Sequence, residues 1–217
     1  MTDLGTRLET ALDYSDGFDT LLDVGTDHGL LPIKALLTGK VKKAVASDNK
    51  ERPLANARTN IEKYGLGDRI DVVLTDGIPK ANGADLVAIL GMGGILIASI
   101  LENGDLKATK RLILSPNSDQ YLVRTWLENH HYAIIAEAFV EDKRKFYQLI
   151  VAETGEMQLT EPEREFGPLI LKEKPQAFGK YLDREIRKLT DARAKASDPE
   201  AKDRLGQRIA TLKGLIA

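Results

Sequence analysis

Short apolar, β-branched or Leu-rich runs alternate with stretches of helical period over roughly the first 150 of 217 residues. The runs predict strands at Thr20 to Val24, Lys43 to Ser47, Ile70 to Leu74, Asp85 to Leu90 and Arg111 to Ser115. Helices are predicted after about His28, Glu51, Gly93 and Ser118. In the second of these, Leu54, Ala57 and Ile61 share one face for burial against a sheet. Such alternation predicts an α/β fold with a parallel sheet covered on both sides. After the helix that ends at Asn129 the rhythm changes. Tyr132 to Val140 and Phe146 to Ala152 read as strands separated only by Glu141 to Lys145, a link short enough to require an antiparallel hairpin.

From Pro162 the strand signals stop and the chain reads as helical. Phe178, Leu182, Ile186 and Leu189 form one helical stripe, and Leu205, Ile209, Leu212 and Ile216 form another beyond the break at Asp198-Pro199. These predict two helices packed antiparallel, in a coiled-coil-like manner. The expected division is a sheet domain over 1–154 and a small helical domain over 155–217. Charge is also uneven along the chain. The chain carries −2 overall, yet residues 172–217 hold twelve Lys+Arg against seven Asp+Glu, leaving nineteen against twenty-six for the rest. A basic arm beside an acidic domain suits a polyanionic partner, and equally a solvated helical surface.

Composition narrows the classes. With 42% hydrophobic and 29% charged residues the chain can bury a substantial core, which disfavours disorder. The absence of cysteine excludes disulfides, thiolate metal sites and a cysteine nucleophile. No basic start leads into an apolar stretch at the N-terminus, so no signal peptide is expected and the expected location is the cytoplasm. The uncharged run from Leu86 to Leu101 is shorter than the roughly 20 residues of a bilayer crossing, so no membrane association is expected.

The candidate chemistry sits where predicted strands end. Asp23-Val24-Gly25-Thr26-Asp27-His28-Gly29 runs from an apolar strand into a glycine turn and a helix start, a place where backbone approaches a ligand closely. Its D-x-G-x-x-x-G spacing is neither the dinucleotide fingerprint nor a phosphate loop, which weakens nicotinamide and nucleotide-hydrolysis readings. Asp48, followed by Asn49, ends the second strand and can accept bonds from ribose hydroxyls; Asp76, before Gly77, ends the third and can accept from an adenine amino group. Each alone also fits a turn or cap. Together with the acidic first turn they point to an adenosine-containing ligand. The fourth strand ends in Gly91-Met92-Gly93-Gly94, where glycines either admit a cofactor and a flat base or serve tight strand-helix packing. The Asn/Asp-Pro-Pro-aromatic motif of several amino-adenine methyltransferases is absent there. Neither His28 nor the pair His130 and His131 has the setting of a metal site, and no metal is expected. Lys143, Arg144 and Lys145 occupy the hairpin tip, a solvated turn or a phosphate contact.

On these residues the chain resembles, over nearly its full length, the bacterial tRNA adenine-N1 methyltransferases that modify position 22 of tRNA, the TrmK family. The resemblance is carried by Asp23 to Pro32, in which Asp27 replaces the middle glycine of the usual methyltransferase turn. It continues through Pro53-Leu54 with Ala57 and Asn60-Ile61, Asp76-Gly77, Gly91 to Gly94 and Ser115-Pro116-Asn117. Arg124 with Trp126, Glu137, Phe146-Tyr147 and Phe166-Gly167-Pro168 complete it. Gly29 and Gln148 depart from the residues common in the family, Ala and Glu. The resemblance implies a class I Rossmann-like methyltransferase fold with a helical C-terminal domain that helps grip tRNA. It also implies S-adenosyl-L-methionine as donor and S-adenosyl-L-homocysteine as product. Cofactor contacts are then expected at Asp23, Gly25, Thr26, Asp27, His28, Asp48, Asn49, Asp76, Gly77, Gly91, Met92 and Gly93. The expected catalytic residues are Asp27, accepting a bond from the target's amino group, Asn117, bonding an edge of the base, and Tyr147, stacking on it. The favoured oligomeric state is a monomer. A class I methyltransferase for another RNA or a small molecule is the alternative enzyme, and a non-catalytic RNA-binding protein retaining the fold is the alternative from another class.

Overall fold

A computed structural model describes residues 4–80 and 83–216. The chain runs α1 (Thr6–Asp13), β1 (Thr20–Val24), α2 (Leu30–Leu37), β2 (Lys43–Asp48), α3 (Glu51–Lys63), β3 (Ile70–Leu74), β4 (Leu86–Leu90), α4 (Gly94–Asn103), β5 (Arg111–Ser115) and α5 (Gln120–Asn129). It continues with β6 (Tyr132–Asp142), β7 (Lys145–Thr154), α6 (Glu161–Phe166), α7 (Pro168–Glu173), α8 (Gln176–Lys195) and α9 (Pro199–Ile216). The seven strands are ordered β3-β2-β1-β4-β5-β7-β6. Strands β1 to β5 are parallel, and β7 enters antiparallel between β5 and β6. The predicted α/β architecture and closing hairpin are both present.

Alternation of side chains along the strands separates two cores. Leu21 packs under α1, α2 and α3, whereas its neighbour Leu22 packs under α4 and α5. The stripe Leu54, Ala57 and Ile61 is buried as its spacing requires; each large apolar side chain so buried contributes about 2 kcal/mol. Asp85, predicted as a strand residue, stands just before β4. Its carboxylate accepts the N–H groups of Asp19 and Thr20 at 3.2 and 2.9 Å, tying the entrance of β1 to that of β4.

Helix α1 was not among the predicted elements. It is only eight residues long, and Leu8, Ala11 and Leu12 gain their helical meaning by packing on the sheet. The hairpin also reaches further than predicted. The β5–β7 ladder ends at Leu114 and Ile150, while the last hairpin pair is Asp142 and Lys145. Five residues of β7 therefore run past that ladder toward the tip, about 17 Å at roughly 3.3 Å per residue. The turn is Lys143 and Arg144, with φ of 48° and 65°. Left-handed backbone costs such side chains about 1 kcal/mol or more each, and two-residue hairpin turns favour Asn-Gly for this reason.

The C-terminal helices pack on the hairpin. Phe139 of β6 lies 5.3 Å from Phe178 and 5.4 Å from Tyr181, ring centre to ring centre, with Phe166 and Phe146 beside them. As predicted, α8 and α9 meet as a helical hairpin, and Phe178, Leu182, Ile209 and Leu212 are buried. Two short helices not predicted separately precede them. Arg124 of α5, fully buried, fixes this junction: it bonds Glu137 of β6 at 2.7 Å and Gln148 of β7 at 2.7 Å, and donates to the carbonyls of Arg164 and Glu165 at the end of α6. Glu137 accepts the Leu169 N–H at 2.9 Å, at the start of α7. Among the described residues, no helix is long and apolar enough to cross a membrane.

Candidate active site

The strand order reverses direction at β1 and β4, and ligands of open α/β sheets bind outside the carboxyl ends of strands at such a point. A cleft of about 470 Å³ lies there, lined among others by Arg7, Gly25, Asp27, Asp48, Gly91 and Asn117. This volume is within the range of small-molecule sites. Two adjoining hollows extend it, one beside Asp23, Thr26 and His28, the other beside Asp48, Asn49, Asp76, Gly77 and Met92. The structure thus brings most of the predicted residues to one edge.

The first turn is built from left-handed backbone, with Gly25, Asp27 and Gly29 at φ of 79°, 50° and 70°. Aspartate tolerates this region better than most side chains because it is short and polar. The Gly25 and Thr26 N–H groups donate to the Ser47 carbonyl at 2.8 and 3.0 Å, which holds the turn against the end of β2. Asn60 of α3 donates to the His28 carbonyl at 2.9 Å from the other side. Asp27 and His28 are exposed and 3.5 Å apart.

At the end of β2, one Asp48 oxygen accepts the Lys50 N–H at 2.9 Å, so the other can receive a ligand hydroxyl. Asn49 donates to Asp76 at 3.4 Å, joining the ends of β2 and β3. The Met92 methyl covers Gly25 where any larger residue would carry its Cβ. The glycines after β4 divide between the two readings of that motif. Gly91 lines the cleft beneath the Arg7 guanidinium. Gly93 caps α4 next to Ser118, and Gly94 abuts the backbone carbonyls of Ser118 and Asp119, so its lack of a side chain serves packing.

Asn117 lines the cleft and is fixed by two bonds: its N–H donates to the Met92 carbonyl at 2.8 Å, and its Nδ2 to the Gly91 carbonyl. Tyr147 stands behind Arg7, whose guanidinium lies 4.8 Å from its ring centre. Arg7 lines the cleft and was not among the site residues expected from sequence. Its signal was the amphipathic spacing of Leu8, Ala11 and Leu12, which marks the helix that carries it.

Asp23 is buried at the base of the turn. Burial pushes its carboxyl up from 3.8 to about 6, with the Asp48 charge adding to the shift and Arg7 opposing it. A raised acid holds its proton longer in the folded state, so stability is fully present below about 4 and falls as pH rises to about 6. The ionised form then costs about 3 kcal/mol. Asp23→Asn is therefore expected to melt increasingly above the wild type between pH 4 and 6.5, with the gap constant beyond. Parallel melting temperatures across that range would refute the assignment.

A tRNA (adenine(22)-N(1))-methyltransferase family profile, TrmK, matches residues 21–214. The chain belongs to the TrmK family. The tRNA (adenine(22)-N(1))-methyltransferase of Bacillus subtilis (strain 168) is 37% identical over 193 residues, covering 84% of this chain and 81% of that protein. The crystal structure of Streptococcus pneumoniae Sp1610 in complex with S-adenosyl-L-methionine superposes with a TM-score of 0.91, at 35% identity and full coverage of both chains. M. capricolum TrmK in complex with S-adenosyl-homocysteine gives 0.87 at 30% identity, covering 98% of this chain and 97% of that one. As a TrmK protein the chain is a tRNA methyltransferase that acts on N1 of adenine 22.

Proposed function

We propose that the edge cleft holds S-adenosyl-L-methionine and the target adenine of tRNA side by side, with donor and catalytic residues on 1–154 and an RNA-gripping arm on 155–217. The carrying observation is the ordered set of acceptors along one sheet edge: Asp48 for ribose hydroxyls, Asp76 for an adenine amino group, and Asp23 and the Gly25-Thr26-Asp27-His28 turn beneath them. This donor set suits an adenosine bearing a positive centre. A buried carboxylate that is costly to ionise regains part of that cost when a cation binds beside it. The relatives bound to S-adenosyl-L-methionine and its demethylated product support the same reading.

When bound, S-adenosyl-L-methionine supplies an electrophilic methyl group on a positive sulfur. Adenine N1 has its own lone pair, so no strong base is needed and alignment is the principal requirement. Positive charge spreads from N1 to the amino group as the new bond forms. Asp27, exposed at the cleft, is placed to accept a hydrogen bond from that amino group and to offset the charge. Asn117, with Nδ2 held by Gly91, keeps its amide oxygen for an edge of the base. Tyr147 acts through Arg7: the guanidinium supported on its ring offers a flat face to an unstacked base.

Incubation with methyl-labelled S-adenosyl-L-methionine and unmodified tRNA, followed by nucleoside digestion, is expected to give labelled 1-methyladenosine at position 22. Donor binding with no labelled nucleoside, or label on a different base, would overturn this reading.

A further inference from the structure

We propose that the β6–β7 hairpin tip is a tRNA backbone contact, in which Lys143 and Arg144 bind phosphates of the nucleotides flanking the target adenine. This inference rests on the tRNA reading above. The two residues are exposed, and among the described residues neither has a carboxylate within ion-pair distance. Their neighbour Glu141 is instead paired with Lys180 at 2.9 Å. Both stand in left-handed backbone, at turn positions that Asn-Gly would fill with less strain. Long cationic side chains there do not serve the turn.

Their position relates them to the cleft. The tip projects beyond the same carboxyl edge that holds the site, because β7 runs five residues past its last pairing with β5. Phe146 and Tyr147 are consecutive on this overhang and so face opposite sides. Each carries an arginine: Arg184 of α8 lies 4.5 Å from the Phe146 ring centre, and Arg7 lies 4.8 Å from that of Tyr147. Arg7 and the tip therefore form a ridge of positive charge leading out of the cleft, whereas Arg184, on the other side of the hairpin, lies 3.5 Å from Glu185. A base seated in the cleft keeps its neighbouring phosphates at the mouth, where this ridge stands. The chain's overall charge is −2, so attraction to RNA must be local, and the ridge supplies it. The arm itself offers less than its composition suggests: Lys188 is paired with Glu185 at 2.8 Å and Arg187 bonds the Asp183 carbonyl of its own helix.

The test is the double variant Lys143→Asn/Arg144→Gly, which removes both cations while supplying a favoured turn. Its melting temperature is expected to equal or exceed the wild type, and its affinity for S-adenosyl-L-methionine to be unchanged. Its tRNA dissociation constant is expected to rise tenfold or more, and the slope of log affinity against log salt to fall by about 1.5. Equal tRNA affinities and equal salt slopes in the two folded proteins would overturn the proposal. If the double variant melts below the wild type, Lys143→Gln/Arg144→Gln provides the same comparison with side chains kept in the turn. Wild-type protein that binds tRNA but makes no 1-methyladenosine would sink the functional reading while leaving the tip's role to the affinity comparison.

Discussion

Glu137→Ala is expected to lower the melting temperature by about 10 °C or more. The Arg124 and Glu137 side chains are both fully buried, 2.7 Å apart, and removing one leaves the other's charge inside the protein without its partner. Breaking a buried pair in this way costs about 3–5 kcal/mol, and each kcal/mol corresponds to about 2–4 °C for a chain of this size. The loss is compounded because Glu137 also accepts the N–H groups of Leu169 and Ile170, at 2.9 and 3.4 Å. Those donors would be stranded at the start of α7. Glu137→Gln keeps an acceptor and should lose less. Thermal melts of the three proteins decide the matter: a drop below about 3 °C for the alanine variant would show that the pair does not hold the junction.

The second large effect is on chemistry. Asp27→Gly is expected to reduce methyl transfer by about 10²–10³-fold, the usual loss when a group aimed at developing charge is removed. Glycine suits this test because Asp27 has φ of 50°, a conformation glycine adopts without penalty. The variant should therefore fold as well as the wild type, and the turn should still be held by Gly25, Thr26 and Ser47. Asp27→Asn, which keeps an acceptor oxygen without its charge, should fall between the two. Single-turnover rates at saturating donor and tRNA separate this role from a binding effect. Wild-type turnover in a folded Asp27→Gly protein would remove Asp27 from the reaction.

Much of the candidate site was legible because its residues follow strand ends. Asp23, Asp48 and Asp76 each lie at or just beyond the carboxyl end of a parallel strand, and parallel strands bring those ends to one edge regardless of the helices between them. Gly91 and Asn117 share that edge through β4 and β5. The Gly91 to Gly94 run was less legible, since one motif served two purposes: Gly91 opens the cleft, whereas Gly94 lets α4 approach the loop before α5. Tyr147 was expected to stack on the target base, but the guanidinium of Arg7, on a helix about 140 positions earlier, lies 4.8 Å from its ring centre.

The alternating pattern by itself determined the five parallel strands, the closing hairpin and the two long C-terminal helices. Each depends on a side-chain period within one segment, and a period is a local property. The acidic strand ends and the distinctive turn at Asp27 were likewise local. Only the tertiary structure decided that β7 lies between β5 and β6, that the hairpin overhangs the site, and that α1 brings Arg7 into the cleft. It also decided that Arg124 and Glu137 join α5 and β6 to the helical arm. These are contacts between segments far apart in the chain, set by which apolar faces and buried charges can be satisfied together, and no period within a segment encodes them.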